Sequence, residues 1–156
     1  MAEGGPAVGL FRAVTVLHAA LSVTQAIAAG AVLQASVAGL TVHQAVAGGL
    51  FLVATLQIPV AVLAWRPGRL PAWPIAVSAG LLVVEVAQIA VGATGVLAVH
   101  VPLGVAIVGT TVALAVWAVW AARAVSTPVA APRRPAGPDY RGGARPYDLR
   151  EDAAPP

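Results

Sequence analysis

Two histidines open apolar runs in this sequence, and each of them follows a glutamine along the chain. His43 stands in LTVHQAVAGG and His100 in GVLAVHVPLG, while Gln25 precedes the first and Gln88 the second. Ionisable side chains within long apolar segments are costly and therefore point to function, and a neutral imidazole serves as a metal ligand or a hydrogen-bonding group. The pattern indicates a ligand-binding site built from two matching halves.

The composition indicates that these residues lie in a membrane. Apolar residues make up 59% of the chain and charged residues only 10%, whereas a soluble domain carries about 25% charged residues. The chain has no cysteine, which excludes disulfides and thiolate metal sites. The net charge of +3 reflects arginines that follow the membrane topology and not a basic binding patch, and we find no phosphate-binding loop or nucleic-acid module. The expected partner is the lipid bilayer, not nucleic acid; a membrane protein partner or a homo-oligomer stays open.

Four segments are long and apolar enough to span a bilayer, which takes about 20 residues. They cover about residues 13–35, 41–65, 73–91 and 98–122. Because the connections are short, neighbouring helices must run antiparallel. The predicted fold is an all-α integral membrane protein, an up-down-up-down four-helix bundle. Its predicted parts are an N-terminal segment (1–12), the transmembrane domain (13–123) and a disordered Pro- and Arg-rich tail (124–156).

The arginines predict the orientation of this bundle. All nine fall on one side of the predicted topology, and basic residues mark the cytoplasmic side. Four tryptophans accompany them: Trp65, Trp73, Trp117 and Trp120. We therefore expect a multi-pass protein of the cell membrane with both termini in the cytoplasm. A cleaved signal peptide is the alternative for the first segment, although its apolar run is longer than the roughly 7–15 residues typical of signals.

The two predicted hairpins repeat each other in the same orientation. In each, a glutamine late in the outward helix is followed by a histidine early in the returning one, which implies a pseudo-twofold axis along the membrane normal. Small residues accompany the histidines at about one turn's distance: Ala47, Gly48 and Gly104. Such small residues also let transmembrane helices pack closely without any ligand.

Depth and topology place the two histidines together. Each lies about 20 residues, or roughly 30 Å, from the aromatic end of its helix, and the second and fourth helices of such a bundle are diagonal. A diagonal of roughly 14 Å holds two imidazoles with a metal between them, each bond being about 2 Å. The small residues would leave room for a planar macrocycle. This predicts haem b, with His43 and His100 as iron ligands; a bare metal ion would want more ligands.

Two other interpretations of the histidines stay open. Each imidazole can cap a helix or contact headgroup water. For His100 this interpretation has extra support, because Pro102 places that residue near a helix start. The chain would then be a non-enzymatic structural or accessory membrane protein with no cofactor. Transport of a small solute is a third interpretation, for which Pro59 is the one candidate break in a span.

The stretch VVEVAQIAVGATGVLAVHVPLGVAIVGTTVALAVWAVWAAR resembles one half of the haem A synthase family of cytochrome oxidase assembly proteins. That family has hairpins with a glutamine, a short outer loop and a histidine opening the return helix, and is built from two four-helix bundles. The resemblance covers about residues 14–123. It implies haem binding through Gln25, His43, Gln88 and His100, for electron transfer, haem handling or oxidase assembly.

This sequence lacks the glutamate and paired-histidine motif of haem A synthases. The resemblance therefore implies haem binding more than enzymatic oxidation of haem. The chain is also similar to small uncharacterised four-helix membrane proteins of actinobacteria, which have the same order of glutamine and histidine.

Glu85 is the one acidic residue within the predicted spans. An ionised carboxylate near mid-membrane is costly, so we expect it to be protonated, paired or in contact with water. His18 and Gln57 are candidate partners from the first two helices, and Gln88 lies three residues further on the same helix face. Interhelical hydrogen bonding is one interpretation of this group; a proton relay or quinone contact is the other.

Overall fold

The computed structural model describes residues 5–126, and four long helices account for most of them. They are α1 (Gly5–Leu33), α2 (Val37–Trp65), α3 (Trp73–Thr94) and α4 (Leu97–Ser126). Each is long and apolar enough to cross a membrane; the shortest, with 22 residues, is about 33 Å long. The prediction of an all-α four-helix bundle is confirmed, and the chain is a multi-pass membrane protein. The predicted tail lies outside the described residues, apart from its first three residues in the last turn of α4.

The helices extend beyond the apolar spans from which they were predicted. Within the described residues α1 extends from Gly5, eight residues before the predicted span, and Phe11 in this extension is fully buried. α2 and α4 run through Pro59 and Pro102 without a break.

The four helices form a closed ring in chain order. Among residues 5–126, α1 packs against α2 and α4, and α3 packs against the same two helices. α1 and α3 are therefore diagonal, as are α2 and α4. Small buried residues keep the bundle narrow: Ala54, Ala61, Ala64 and Ala118. The narrow core allows side chains on diagonal helices to meet.

The two ends of the bundle differ in chemistry. At the end that holds the α2–α3 connection, Trp117 lies edge-on to Phe11 and Trp73, with ring centroids 6.5 and 4.5 Å apart. The Arg66 guanidinium lies 4.5 Å from the ring of Trp65. This aromatic and basic end is called the inner end below, and the opposite end, with the α1–α2 and α3–α4 turns, the outer end.

Each of the two outer turns uses a residue with left-handed backbone angles, and the two hairpins extend by different lengths beyond their histidines. Ala35 (φ 56°) turns the first hairpin and Gly95 (φ 72°) the second. His43 is the seventh residue of α2, whereas His100 is the fourth residue of α4. The first hairpin therefore rises about one helical turn further beyond its histidine than the second.

Candidate functional site

The outer end of the bundle brings His43 and His100 together. They come from the diagonal helices α2 and α4, yet their ring centroids are only 6.2 Å apart, with the ring planes inclined by 57°. Both side chains are half-buried. The rings thus meet across the bundle core at one level, and the pair is called the outer histidine pair below.

A backbone carbonyl of the preceding helix holds each of these rings. Nδ1 of His43 lies 3.4 Å from the carbonyl oxygen of Gln25, and Nδ1 of His100 lies 3.2 Å from that of Gln88. Because a carbonyl oxygen only accepts, Nδ1 must carry the hydrogen in both contacts. Nε2 is then the nitrogen with a free lone pair in each neutral ring. Histidines that bind metals donate from their second nitrogen in this manner.

The glutamine side chains add to the site in different ways. The Gln88 amide donates to the carbonyl of His100 at 2.7 Å, so Gln88 holds His100 at both its ring and its backbone. Neither Gln25 nor Gln88 has a donor for its buried side-chain oxygen among the described residues. Buried acceptors usually have partners, so these two oxygens favour a hydrogen-bond donor at the outer site.

The small residues near the pair serve different neighbours. Gly92 packs against His100, and a Cβ there would lie 2.7 Å from the imidazole. A Cβ at Gly104 would lie 3.0 Å from the Gln88 amide, so this glycine makes room for the glutamine side chain. Ala47 is half-buried, whereas Gly48 is exposed and has nothing within 4 Å of a Cβ.

A second polar cluster lies further inside the bundle, and its centre is a contact between His18 and Glu85. These side chains are 1% and 5% exposed, and Nε2 lies 2.6 Å from Oε1. Nδ1 of His18 lies 2.9 Å from Oε1 of Gln57, whose amide donates to Ser78 at 3.0 Å. The structure therefore brings together all three residues that the sequence singled out besides the outer site. Gln88, the other candidate partner of Glu85, binds His100 instead.

The hydrogen-bond pattern determines how many protons this cluster holds. With Gln57 accepting from Nδ1, the short contact between His18 and Glu85 contains one further proton. That proton resides on the carboxyl group, which gives two neutral groups, or on the imidazole, which gives an ion pair. Both arrangements have a net charge of zero, which makes the pair compatible with a membrane interior.

Sequence reasoning missed the serines and threonines that accompany this cluster. Thr15 and Ser22 are buried on α1, and Ser78 is buried on α3. A signal for the first two was present: Thr15, His18, Ser22 and Gln25 are spaced by three, four and three residues. That spacing places them on one helix face.

Known proteins add no information about this site. Comparison with protein families, with curated proteins and with solved structures finds no match to the chain. The resemblance to haem A synthases stays a prediction, and the case for a function depends on the geometry above.

Proposed function

We propose that this membrane protein binds haem b at its outer end, where His43 and His100 would hold the iron. The observation that carries the proposal is the 6.2 Å separation of the two ring centroids. Two metal–nitrogen bonds of about 2 Å, together with two ring radii of about 1 Å, also give roughly 6 Å. The separation of the two rings therefore supports a single iron between them.

The number of ligands favours haem over a bare ion. The described residues contain no group of three or more histidine, cysteine, aspartate or glutamate side chains that could hold a metal. Zinc sites take three or four protein ligands, whereas haem iron, already bound by four pyrrole nitrogens, needs two. Two histidines with free Nε2 lone pairs match that need.

The surrounding residues fit this assignment in two respects. The carbonyls of Gln25 and Gln88 set the tautomer that leaves Nε2 for the metal. Gly92 leaves space for the His100 ring. Bound haem would supply one-electron chemistry, or it would be the molecule that the protein carries. Electron transfer, haem handling and oxidase assembly are the roles open to such a protein, and we assign no catalytic step to this chain.

The experiment is a spectrum of the purified chain. The protein is expressed with ample haem supply, purified in detergent, and recorded as a reduced-minus-oxidised difference. A sharp alpha band is expected, and it should be lost in both His43→Ala and His100→Ala. Gln44→Ala is the matched control, because Gln44 neighbours His43 on α2 but is exposed.

Two outcomes would contradict the proposal. One is a folded, colourless wild-type protein at full haem supply, which would favour a structural or accessory membrane protein. The other is an alpha band that survives unchanged when either histidine is replaced.

A further inference from the structure

A column of polar side chains leads from the outer histidine pair to the middle of the bundle. On α1 it contains His18, Ser22 and Gln25, and on α3 it contains Glu85 and Gln88. Gln88 lies three residues beyond Glu85, which corresponds to about 4.5 Å along the helix axis. The buried His18–Glu85 pair is therefore about one turn of α3 away from the residue that holds His100.

Three buried acceptor atoms along this column have no donor among the described residues. They are Oε2 of Glu85 and the side-chain oxygens of Gln25 and Gln88. Most buried polar atoms are paired, so a run of unpaired acceptors between the two clusters is unusual. It favours water in this region, which would donate hydrogen bonds to these oxygens.

The His18–Glu85 pair can take up one proton without losing its own hydrogen bonds. In its neutral form the pair holds one proton between Nε2 and Oε1, as described above. A second proton converts it to an imidazolium beside a carboxylic acid, whose hydrogen is then placed on the unpaired Oε2. His18 keeps its bonds to Gln57 and Glu85 in both forms.

We propose that the His18–Glu85 pair is a proton-binding site that balances the charge of an electron at the outer histidine pair. This inference rests on the haem binding proposed above. When an external one-electron donor reduces the outer site, the charge there falls by one. One proton taken from water then joins the pair, so the total charge of the bundle core does not change.

No other side chain of the core competes for this role. Apart from the two proposed ligands, His18 on α1 and Glu85 on α3 are the titratable groups buried in the described core. The polar groups that α2 and α4 contribute are Gln57 and Thr111, and neither of them titrates. Arg12, which lies six residues before His18 on α1, is exposed.

The test is the midpoint potential of the haem-loaded full chain as a function of pH. Titrations from about pH 5 to pH 8 cover the range in which histidine changes its charge. The wild-type potential should fall as pH rises, with a slope that approaches about 59 mV per pH unit, the equivalent of a tenfold change for a one-electron couple. In Glu85→Gln the slope should vanish.

The variants separate a proton site from a structural contact. Glu85→Gln keeps a hydrogen bond, because the new amide donates to Nε2 of His18, but it removes the carboxyl oxygen on which the second proton is placed. Thr111→Val is the matched control: it removes a buried hydroxyl that bonds only to the backbone of its own helix, and its slope should equal the wild-type slope. If Glu85→Gln does not fold, His18→Gln provides the same comparison.

The outcomes distinguish this inference from the proposed function. Absence of haem would overturn both. A haem-loaded wild-type protein whose potential is independent of pH, or a Glu85→Gln protein with the wild-type slope, would overturn the proton site alone. A supporting readout is the infrared carbonyl band of the Glu85 carboxyl group, which should change in intensity or frequency on reduction in the wild type, a change that should be missing in Glu85→Gln.

Discussion

At the scale of single residues, the outer site uses the backbone as its support. A helical carbonyl already accepts one hydrogen bond within its helix, and its second lone pair is free for another donor. The carbonyls of Gln25 and Gln88 use that capacity to hold an imidazole. This arrangement orients both rings without a buried carboxylate, which would add a charge in the membrane.

Gly92 should matter more to the outer site than any other glycine of α3. A Cβ at this position would lie 2.7 Å from the His100 ring, closer than van der Waals contact allows, so the ring must move. We expect Gly92→Ala to lower the haem content of the purified protein or shift its alpha band. Gly80→Ala is the control, because a Cβ there meets nothing within 4 Å. Equal spectra for the two variants would show that the ring position is not limiting.

The His18–Glu85 contact should stabilise the bundle by a modest amount. In His18→Leu the remaining carboxyl group can keep its proton, so the loss is that of an unsatisfied buried acid, about 1–3 kcal/mol, and not that of a buried anion. Glu85→Leu should cost a similar amount. The double variant should be less destabilised than the sum of the two singles, with a coupling of about 0.5–3 kcal/mol.

Unfolding in detergent with increasing denaturant, followed by circular dichroism, measures these four free energies. Strict additivity of the two substitutions would contradict a direct interaction between the side chains.

At the scale of elements, the first hairpin is closed by a contact that only glycine permits. Gly39 is buried near the start of α2, and a Cβ there would lie 2.6 Å from Cβ of Ala31 on α1. Ser36 caps α2 one turn earlier by accepting from the amide of Gly39 at 3.1 Å. The helices are thus fixed against each other at the outer end.

Gly39→Ala should destabilise the protein by about 1–3 kcal/mol, the usual cost of forcing an extra carbon into a packed contact. Gly48→Ala on the same helix should be neutral or stabilising by up to about 1 kcal/mol, because nothing lies near its Cβ and alanine favours the helix. Thermal unfolding of the two variants in the same detergent provides the comparison. A smaller effect at Gly39 than at Gly48 would contradict the close contact.

The elements themselves could be predicted from the sequence, because the bilayer demands about 20 apolar residues for each span. The depth of His18, Gln57 and Glu85 followed from the same count. The sequence also named His18 and Gln57 as candidate partners of Glu85, but it did not determine which contact each side chain makes. Gln88 is spaced to meet Glu85 on its own helix, yet its amide donates to His100, because contacts across helices depend on rotations that hydropathy does not record.

At the scale of the whole molecule, the orientation of the bundle in the membrane can be tested directly. The absence of cysteine from the sequence allows single cysteines to be introduced without background. Gln34 and Ala72 are exposed residues at the outer and inner ends. With both termini in the cytoplasm, a membrane-impermeant maleimide should label Gln34→Cys in intact cells and Ala72→Cys only after permeabilisation. The reverse pattern would overturn the orientation that the arginines predict.

Symmetry divides the molecule into two regions. The outer site repeats in both hairpins, with one imidazole and one glutamine carbonyl from each. The cluster around His18 and Glu85 does not repeat. In the other hairpin, Leu81 occupies the position that corresponds to His18, and Ser22 occupies the position that corresponds to Glu85. The proposed ligand site thus follows the pseudo-twofold axis, and the proposed proton site departs from it.

The repeat also has a consequence for how little chain the outer site requires. Each hairpin contains one imidazole ring and the backbone carbonyl that accepts a hydrogen bond from it, so neither ring depends on the other hairpin for this contact. A peptide of only two helices would therefore acquire both rings simply by dimerising. Joining two such copies into one polypeptide then frees the halves to diverge, and the unmatched histidine and glutamate are the kind of change that a symmetric dimer cannot make on one side alone.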